Sequence, residues 1–226
     1  MRALYRFLLP PAFLIASSVP GSGQGARPIG ITDDELFGTV IKASKWDNPN
    51  IPTCWENPSP VDEPYRAIVR AAAEETWRRH SNVRFLGWGK CDDNSPGLHI
   101  RISDEQAHTN ALGRFLDQTP QGMVLNFAFT TWSAGCQQKR DFCIYAIAAH
   151  EFGHALGFAH EQNRADAPPE CRLDSQGPIG DYNVTKYDPK SIMNWCNLDS
   201  DWRWNGDGKL SALDIEAVQK FYGPPQ

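Results

Sequence analysis

Two helical stripes and several short strand-like runs stand out along the chain. A helix is predicted to begin after Asp62, where apolar residues recur at helical spacing as far as Trp77. A second stripe of the same spacing runs from Phe142 to Leu156. The strand-like runs, bounded by turn residues, are 51–55, 83–88, 98–102 and 123–127. The pattern predicts a domain with both sheet and helix.

The last part of the chain predicts one further helix. Ser211 and Asp214 form a Ser-x-x-Asp start, and Leu210 is placed to pack against Ile215. Gly223, followed by two prolines, is expected to end this helix. The preceding stretch, 161–188, has little periodicity, and loops of this length in a compact domain are usually functional or stapled.

The turn ahead of this helix, 205–208, has the sequence Asn-Gly-Asp-Gly. Asn205, Asp207 and Asp214 lie at offsets compatible with a calcium loop. Arg203, however, occupies the position that should supply the first carboxylate. We therefore interpret the stretch as a turn.

The N-terminal residues 1–25 combine two arginines, a short apolar run and a small-residue tail, the pattern of a secretory signal peptide. The alternative, a buried N-terminal helix, is disfavoured by the prolines at 10 and 11. Residues 26–45 are expected to form an ordered arm or a short pro-segment, and 46–226 one domain. No second long apolar segment follows, so we expect no membrane span.

The composition and the net charge limit the kinds of binding partner that we expect. Hydrophobic residues make up 41% and charged residues 22% of the chain, as in ordinary globular proteins. The net charge is -5 and no cluster of lysines and arginines is present, which argues against a nucleic-acid or anionic-membrane partner. We expect a secreted monomer, extracellular or periplasmic.

Six cysteines in a chain with a secretory leader predict disulfide bonds. Cys136 and Cys143 are the predicted pair, because they close a short loop just before the second helix. We also expect Cys54–Cys91 and Cys171–Cys196, for which the sequence offers no comparable local argument. Spacing of the Cys-x-x-Cys type, which a cysteine metal site would require, is absent.

The chemistry of the chain is concentrated in the stretch 150–160, which has the form His-Glu-x-x-His-x-x-Gly-x-x-His. At about 100° per residue, His150 and His154 project from nearly the same helix face one turn apart. His160 would point away on a continued helix, so the helix must end before it, and Gly157 is the residue that allows the turn. The three imidazoles then predict one catalytic zinc ion with a fourth position open.

Glu151 follows the first predicted ligand and lies on the flank of the same face. Its carboxylate is placed to take the proton of an attacking water, so we predict it to be the general base. A chance match on an amphipathic helix is the competing interpretation, and Gly157 and His160 argue strongly against it.

The zinc motif together with Ser191-Ile192-Met193-Asn194 resembles the metzincin metallopeptidases, in which a methionine-containing turn passes beneath the three histidines. Met193 matches that methionine. Glu161 directly after the third histidine and Tyr187-Asp188 ahead of the turn resemble the astacin branch, and a matrixin-like branch remains open. One departure is Trp195, where astacins have a tyrosine; an indole N–H donates but does not ligate.

The resemblance implies an α+β fold for the catalytic domain, residues 46–226. A twisted mixed sheet with two helices would lie over a smaller, irregular C-terminal half that ends in a helix. The implied activity is endopeptidase action on a protein or peptide substrate, which would add as a strand along a sheet edge. We assign that edge to Met123, Val124, Leu125, Asn126 and Phe127.

Two rival functions remain at this stage. A binding protein could keep the zinc scaffold without turnover, although the intact Glu151 argues against it. A zinc hydrolase acting on a non-peptide amide would carry the same motif.

Overall fold

The computed structural model describes residues 40–172, 177–197 and 206–226. Within them, five strands form one twisted mixed sheet in the order β2-β1-β3-β5-β4. All neighbouring pairs are parallel except β4 with β5, which is antiparallel. The strands are β1 Asn50–Trp55, β2 Arg84–Lys90, β3 Leu98–Ile102, β4 His108–Thr109 and β5 Met123–Leu125.

Two long helices pack beside the sheet and confirm the α+β prediction. Trp77 donates from its indole nitrogen to the carbonyl of Ala149 at 2.7 Å and so joins the two helices. Phe152 contacts Phe85 of β2 edge-on, with ring centroids 4.6 Å apart. The helices are α1 Glu63–Ala73, continued by a π-helical turn Glu74–Arg78, α2 Ala134–Gln138, α3 Arg140–Ala155, α4 Pro169–Arg172 and α5 Ala212–Tyr222.

The assignment of 123–127 to the sheet edge is wrong in two respects. Strand β5 ends at Leu125 because the side chain of Asn126 accepts from the backbone N–H groups of Ala128 and Phe129, which turns the chain. Strand β5 also lies between β3 and β4, so the edge strand on this side of the sheet is β4.

The C-terminal part is irregular until α5. Ser211 caps this helix, and Ser211 and Asp214 form the reciprocal capping box. Gly223 follows with a φ of +88°. The sequence therefore predicted this helix and both of its ends. Of the 205–208 turn, Asp207 accepts from the N–H of Lys209, while Asn205 and Arg203 lie outside the described residues.

Residues 40–45, grouped with the arm in the sequence analysis, pack against the domain. Val40 is fully buried and exchanges backbone hydrogen bonds with Tyr182. Ile41 donates to the carbonyl of Gly157 at 3.2 Å. The predicted signal peptide and the rest of the arm lie outside the described residues. Among the described helices, none is long and apolar enough to cross a membrane.

Three disulfide bonds join Cys54 with Cys91, Cys136 with Cys143, and Cys171 with Cys196. These are the pairs that the sequence analysis expected. The first ties β1 to the end of β2, and the second joins α2 to the first turn of α3. The third joins α4 to the segment after Met193, in the part of the chain that has the least regular structure.

Candidate metal centre

Helix α3 carries the first two predicted ligands and ends where the third requires it to. Gly157 has a φ of +97°, a left-handed conformation that glycine adopts at little cost. The last carbonyls of the helix are satisfied by side chains from elsewhere. Trp46 donates to Ala155 at 2.7 Å, and the hydroxyl of Tyr222 donates to Leu156 at 2.8 Å. This anchored end fixes the direction in which the chain leaves.

The three histidines converge on one point. Nε2 of His160 lies 3.2 Å from Nε2 of His150 and 3.1 Å from Nε2 of His154. Nδ1 of His150 donates to the carbonyl of Ile192, and Nδ1 of His154 to that of Phe158, each at 2.7 Å. Because a carbonyl oxygen only accepts, Nδ1 carries the proton in both rings and Nε2 presents a lone pair.

This arrangement fits a zinc ion. Four-coordinate zinc with nitrogen at about 2.0–2.1 Å places its ligands about 3.3 Å apart, near the observed separations. A second observation is Glu151, whose Oε2 atom is buried and has no hydrogen-bond partner among the described residues. Such an atom is costly to leave unpaired. A cation with an adjacent water would satisfy it.

The low polarity of this site shifts the pKa values of its groups. Burial, with a smaller contribution from the charge of His160, lowers the pKa of His150 to about 3. Burial likewise holds the pKa of His154 well below its ordinary value. Burial raises the pKa of Glu151 to about 8. Neutral imidazoles are the form that binds a metal.

Met193 lies beneath α3, as the resemblance implied. Its thioether packs against Gly153 so closely that a Cβ on Gly153 would overlap with the sulfur. Trp77 lies on the same glycine, 2.8 Å from where that Cβ would be. Gly153 is therefore a supporting residue that the sequence analysis missed. Gly153 occupies one of the x positions of the motif. No local sequence pattern indicates that the side chains of Met193 and Trp77 pack against it.

Asp214 is a second residue whose role the sequence did not reveal. The carboxylate accepts from Ser191 Oγ at 2.6 Å, from the N–H of Ile192 at 2.9 Å and from the N–H of Ser211 at 2.9 Å. Ile192 in turn presents its carbonyl to His150. Asp214, the capping-box partner of Ser211, thus holds Ile192, the residue whose carbonyl orients a predicted ligand. Burial raises the pKa of Asp214 to about 6.

A buried charged pair holds the chain just after the third histidine. Glu161 accepts from the backbone N–H of Asp188 at 2.8 Å and lies 3.5 Å from Arg164. Arg164 is almost fully buried and makes a two-pronged contact with Asp166 at 2.7 and 2.8 Å. These contacts connect the segment after His160 to the segment before Met193.

An open cavity of about 500 Å³ lies beside the histidines. The edge segment 106–112, which contains β4, and Phe115 form one side of it. Gly177, Pro178 and Trp195 contribute from the C-terminal part. This edge segment is not predictable from the sequence, because a strand of two residues is too short to show alternation.

Trp195 lies at the rim of the metal centre. Its indole nitrogen is 3.3 Å from Nε2 of His150, and its ring is edge-on to that of His160, with centroids 5.5 Å apart. Two nearby tyrosines are engaged elsewhere. Lys42 lies over the ring of Tyr182, and the hydroxyl of Tyr187 accepts from Asn194 at 2.9 Å.

Another group of potential ligands, Cys54, Cys91 and His99, lies on the sheet. Both sulfur atoms belong to one disulfide and are not available as thiolates. His99 contacts the carbonyl of Ser95 through Nε2 at 2.7 Å. We therefore assign no metal to this group.

Comparison with known proteins identifies the family. Residues 39–192 match the family described as Astacin (Peptidase family M12A). The chain therefore belongs to the astacin family. The astacin branch suggested by Glu161 and Tyr187-Asp188 is confirmed.

Relatives and solved structures agree with this family. The chain is 27% identical over 206 residues to the interstitial collagenase of Bos taurus, covering 87% of this chain and 37% of the relative. It is 41% identical over 89 residues to high choriolytic enzyme 2 of Oryzias latipes, and this match covers 38% of this chain and 32% of the relative. The chain thus spans about a third of the length of these relatives.

Two solved structures share the fold. Myroilysin superposes with a TM-score of 0.58 at 20% identity, covering 84% of this chain and all of that one. High choriolytic enzyme 1 of Oryzias latipes, described as a hatching enzyme zinc-protease, superposes with a TM-score of 0.51 at 19% identity. This superposition covers 84% of this chain and 95% of that one. At these identities the likeness concerns the fold alone.

Proposed function

We propose that the chain is a secreted zinc-dependent endopeptidase in which Glu151 is the general base. The observation that carries this proposal is the convergence of three imidazole nitrogens beside a buried carboxylate oxygen that has no hydrogen-bond partner in the described part of the chain. Membership of a peptidase family supports the class of reaction. His150, His154 and His160 would hold a zinc ion, which would supply Lewis acidity for the scissile carbonyl and for a water.

The protein groups perform the remaining steps. His150 and His154 are held in one tautomer by the carbonyls that they contact, so their Nε2 atoms stay directed at one point. Glu151 takes the proton of the attacking water on its Oε2 atom and delivers it to the leaving amine. Because the carboxylate is buried, this proton is not lost to bulk water between the two transfers.

The substrate is proposed to bind as an added strand along β4. Strand β4 pairs with β5 on one side and with no other described strand, and both of its residues line the cavity beside the histidines. A peptide laid there would run along 106–112, with its scissile bond next to Glu151. This replaces the assignment of the substrate edge to 123–127, which the order of the strands overturned.

Action outside the cytoplasm is supported by the three disulfide bonds, which persist in oxidising compartments. A defined peptide library tests the activity. The zinc-loaded protein is incubated with the library, and the cleaved bonds are identified by mass spectrometry with and without a strong chelator. We expect internal cleavage that the chelator abolishes. Absence of any cleavage by protein with one zinc per chain would refute the endopeptidase assignment.

A further inference from the structure

The cavity beside the metal centre has an apolar lining with few charges. Its apolar side chains, among them Leu112 and Phe115, come mainly from the edge segment and the 3₁₀ turn Gly113–Leu116 that follows it. Among the described lining residues, none is lysine, arginine or aspartate. The charged or titratable lining groups are the metal centre itself and His108.

Two cations near this space are engaged by protein groups, and the guanidinium of Arg114 also lies over the ring of Phe115, 6.0 Å from its centroid. Arg114 donates through Nε to the carbonyl of Ala43 at 2.8 Å and through Nη1 to Asp47 at 3.1 Å. The amino group of Lys42 lies over the ring of Tyr182, 3.9 Å from its centroid. A substrate carboxylate entering the cavity would therefore lose water and compete with Asp47, the Ala43 carbonyl and the Tyr182 ring for these cations, which is unfavourable.

Phe115 is the distinctive part of the wall. It is a large apolar side chain that remains 51% exposed although it borders a cavity. Its backbone is held in place, because Thr119 donates to its carbonyl at 3.1 Å and Arg114 anchors the same turn to Ala43. A rigid apolar wall that is half exposed gains most from contact with another apolar group.

We propose that this cavity selects a large apolar side chain, such as leucine or phenylalanine, next to the scissile bond, and that Phe115 determines this specificity. The inference rests on the proposed endopeptidase function. It names a substrate class that follows from the residues lining this cavity. The substrate would be recognised because its apolar side chain is buried against Phe115 and Leu112.

The test uses zinc-loaded protein and peptides that differ only at the residues flanking one cleavable bond. Leucine, phenylalanine, alanine, aspartate and lysine are compared at each flanking position, and kcat/KM is measured for every peptide. At one of the two positions we expect leucine or phenylalanine to exceed alanine about tenfold and aspartate or lysine about a hundredfold. A flat profile, or a preference for aspartate or lysine, would overturn the inference while leaving the endopeptidase function intact.

A pair of variants locates the effect. Phe115→Lys should lower kcat/KM for the leucine peptide about tenfold or more and raise it for the aspartate peptide, with zinc content unchanged. Leu86→Lys is the matched control, because Leu86 is 49% exposed and lies on β2 at the opposite edge of the sheet. It should leave the profile as it was. Equal effects of the two substitutions would overturn the role of Phe115.

A binding measurement separates this inference from catalysis. Glu151→Gln protein loaded with zinc is titrated with the same peptides by calorimetry. The leucine peptide should bind about tenfold more tightly than the aspartate peptide. Equal or reversed affinities would contradict the inference. If the wild-type protein cleaves no peptide at all, the endopeptidase function itself fails, and that result is distinct from a changed ranking.

Discussion

Before Gly157 the core is built from aromatic and aliphatic contacts, whereas after it the core contains several buried charges. Glu151 is the one buried charged side chain among described residues 40–156. Beyond Gly157 the described residues include four more, which are Glu161, Arg164, Asp188 and Asp214. The metal centre takes two ligands from the first part and one from the second, so it joins regions that are stabilised differently.

This difference indicates which interactions fix the positions of the metal ligands. Helix α3 holds His150 and His154 by apolar burial along nearly its whole length. The residues next to the other groups are held by hydrogen bonds instead: Glu161, which follows His160, accepts from the N–H of Asp188, and Asp214 accepts from the N–H of Ile192. Polar networks of this kind fix one geometry when every member is satisfied, and they are costly when a member is lost.

Metal removal should have the largest effect. A strong chelator should abolish peptide hydrolysis, and added zinc should restore it. Because His160 is the ligand that lies after Gly157, loss of zinc should increase amide hydrogen exchange in 158–197 far more than in the sheet. Exchange measured by mass spectrometry checks this. A uniform increase, or activity that persists after metal analysis confirms removal, would contradict the comparison.

Replacement of Asp214, a member of the hydrogen-bond network after Gly157, should have the second-largest effect. Asp214→Ala leaves three donors without their acceptor, those of Ser191, Ile192 and Ser211, at roughly 1–3 kcal/mol for each that stays buried. We expect a loss of about 3 kcal/mol in the free energy of unfolding and weaker zinc binding. Urea unfolding and chelator competition measure the two quantities.

Thr76→Val is the matched control from the first part of the chain. Thr76 is buried and donates to the carbonyl of Ala72. Because valine has nearly the same shape and leaves no donor unpaired, its cost should be about 1 kcal/mol. Similar losses for Asp214→Ala and Thr76→Val would remove the distinction between the two regions.

The smallest effect is expected at Trp195. Phenylalanine keeps the edge-on ring contact with His160 and removes only the indole N–H near His150. One hydrogen bond contributes about 0.5–1.5 kcal/mol. Trp195→Phe should therefore lower kcat less than about tenfold. A loss near a thousandfold in folded, zinc-loaded protein, or a zinc ligand from Tyr182 or Tyr187, would show that this position has another role.

The same comparison explains how far the sequence predicts the structure. Helices α1, α3 and α5 were predicted, because apolar spacing and capping residues are local features. The convergence of the three histidines followed from spacing and from the one turn that Gly157 permits. Strand β4 was missed because its two residues show no alternation. The edge was therefore assigned to β5.

The network after Gly157 could not be predicted for a different reason. Glu161 and Asp188 are separated by 27 residues, and Asp214 and Ile192 by 22, so no local pattern connects them. Their burial depends on how an irregular segment folds back on itself. Charged residues in such a segment are indistinguishable in sequence from solvated ones.

The central claim is that Glu151 acts as the base at a zinc centre, and one pair of variants tests it most directly. Glu151→Gln should keep about one zinc per chain and lose about 10²- to 10⁴-fold in kcat. Glu161→Gln is the control, because Glu161 is also buried but contacts Asp188 and Arg164. Because glutamine keeps an oxygen that accepts from the N–H of Asp188, this hydrogen bond is preserved and the variant should retain most activity. Near-normal hydrolysis by folded, zinc-loaded Glu151→Gln would contradict the account.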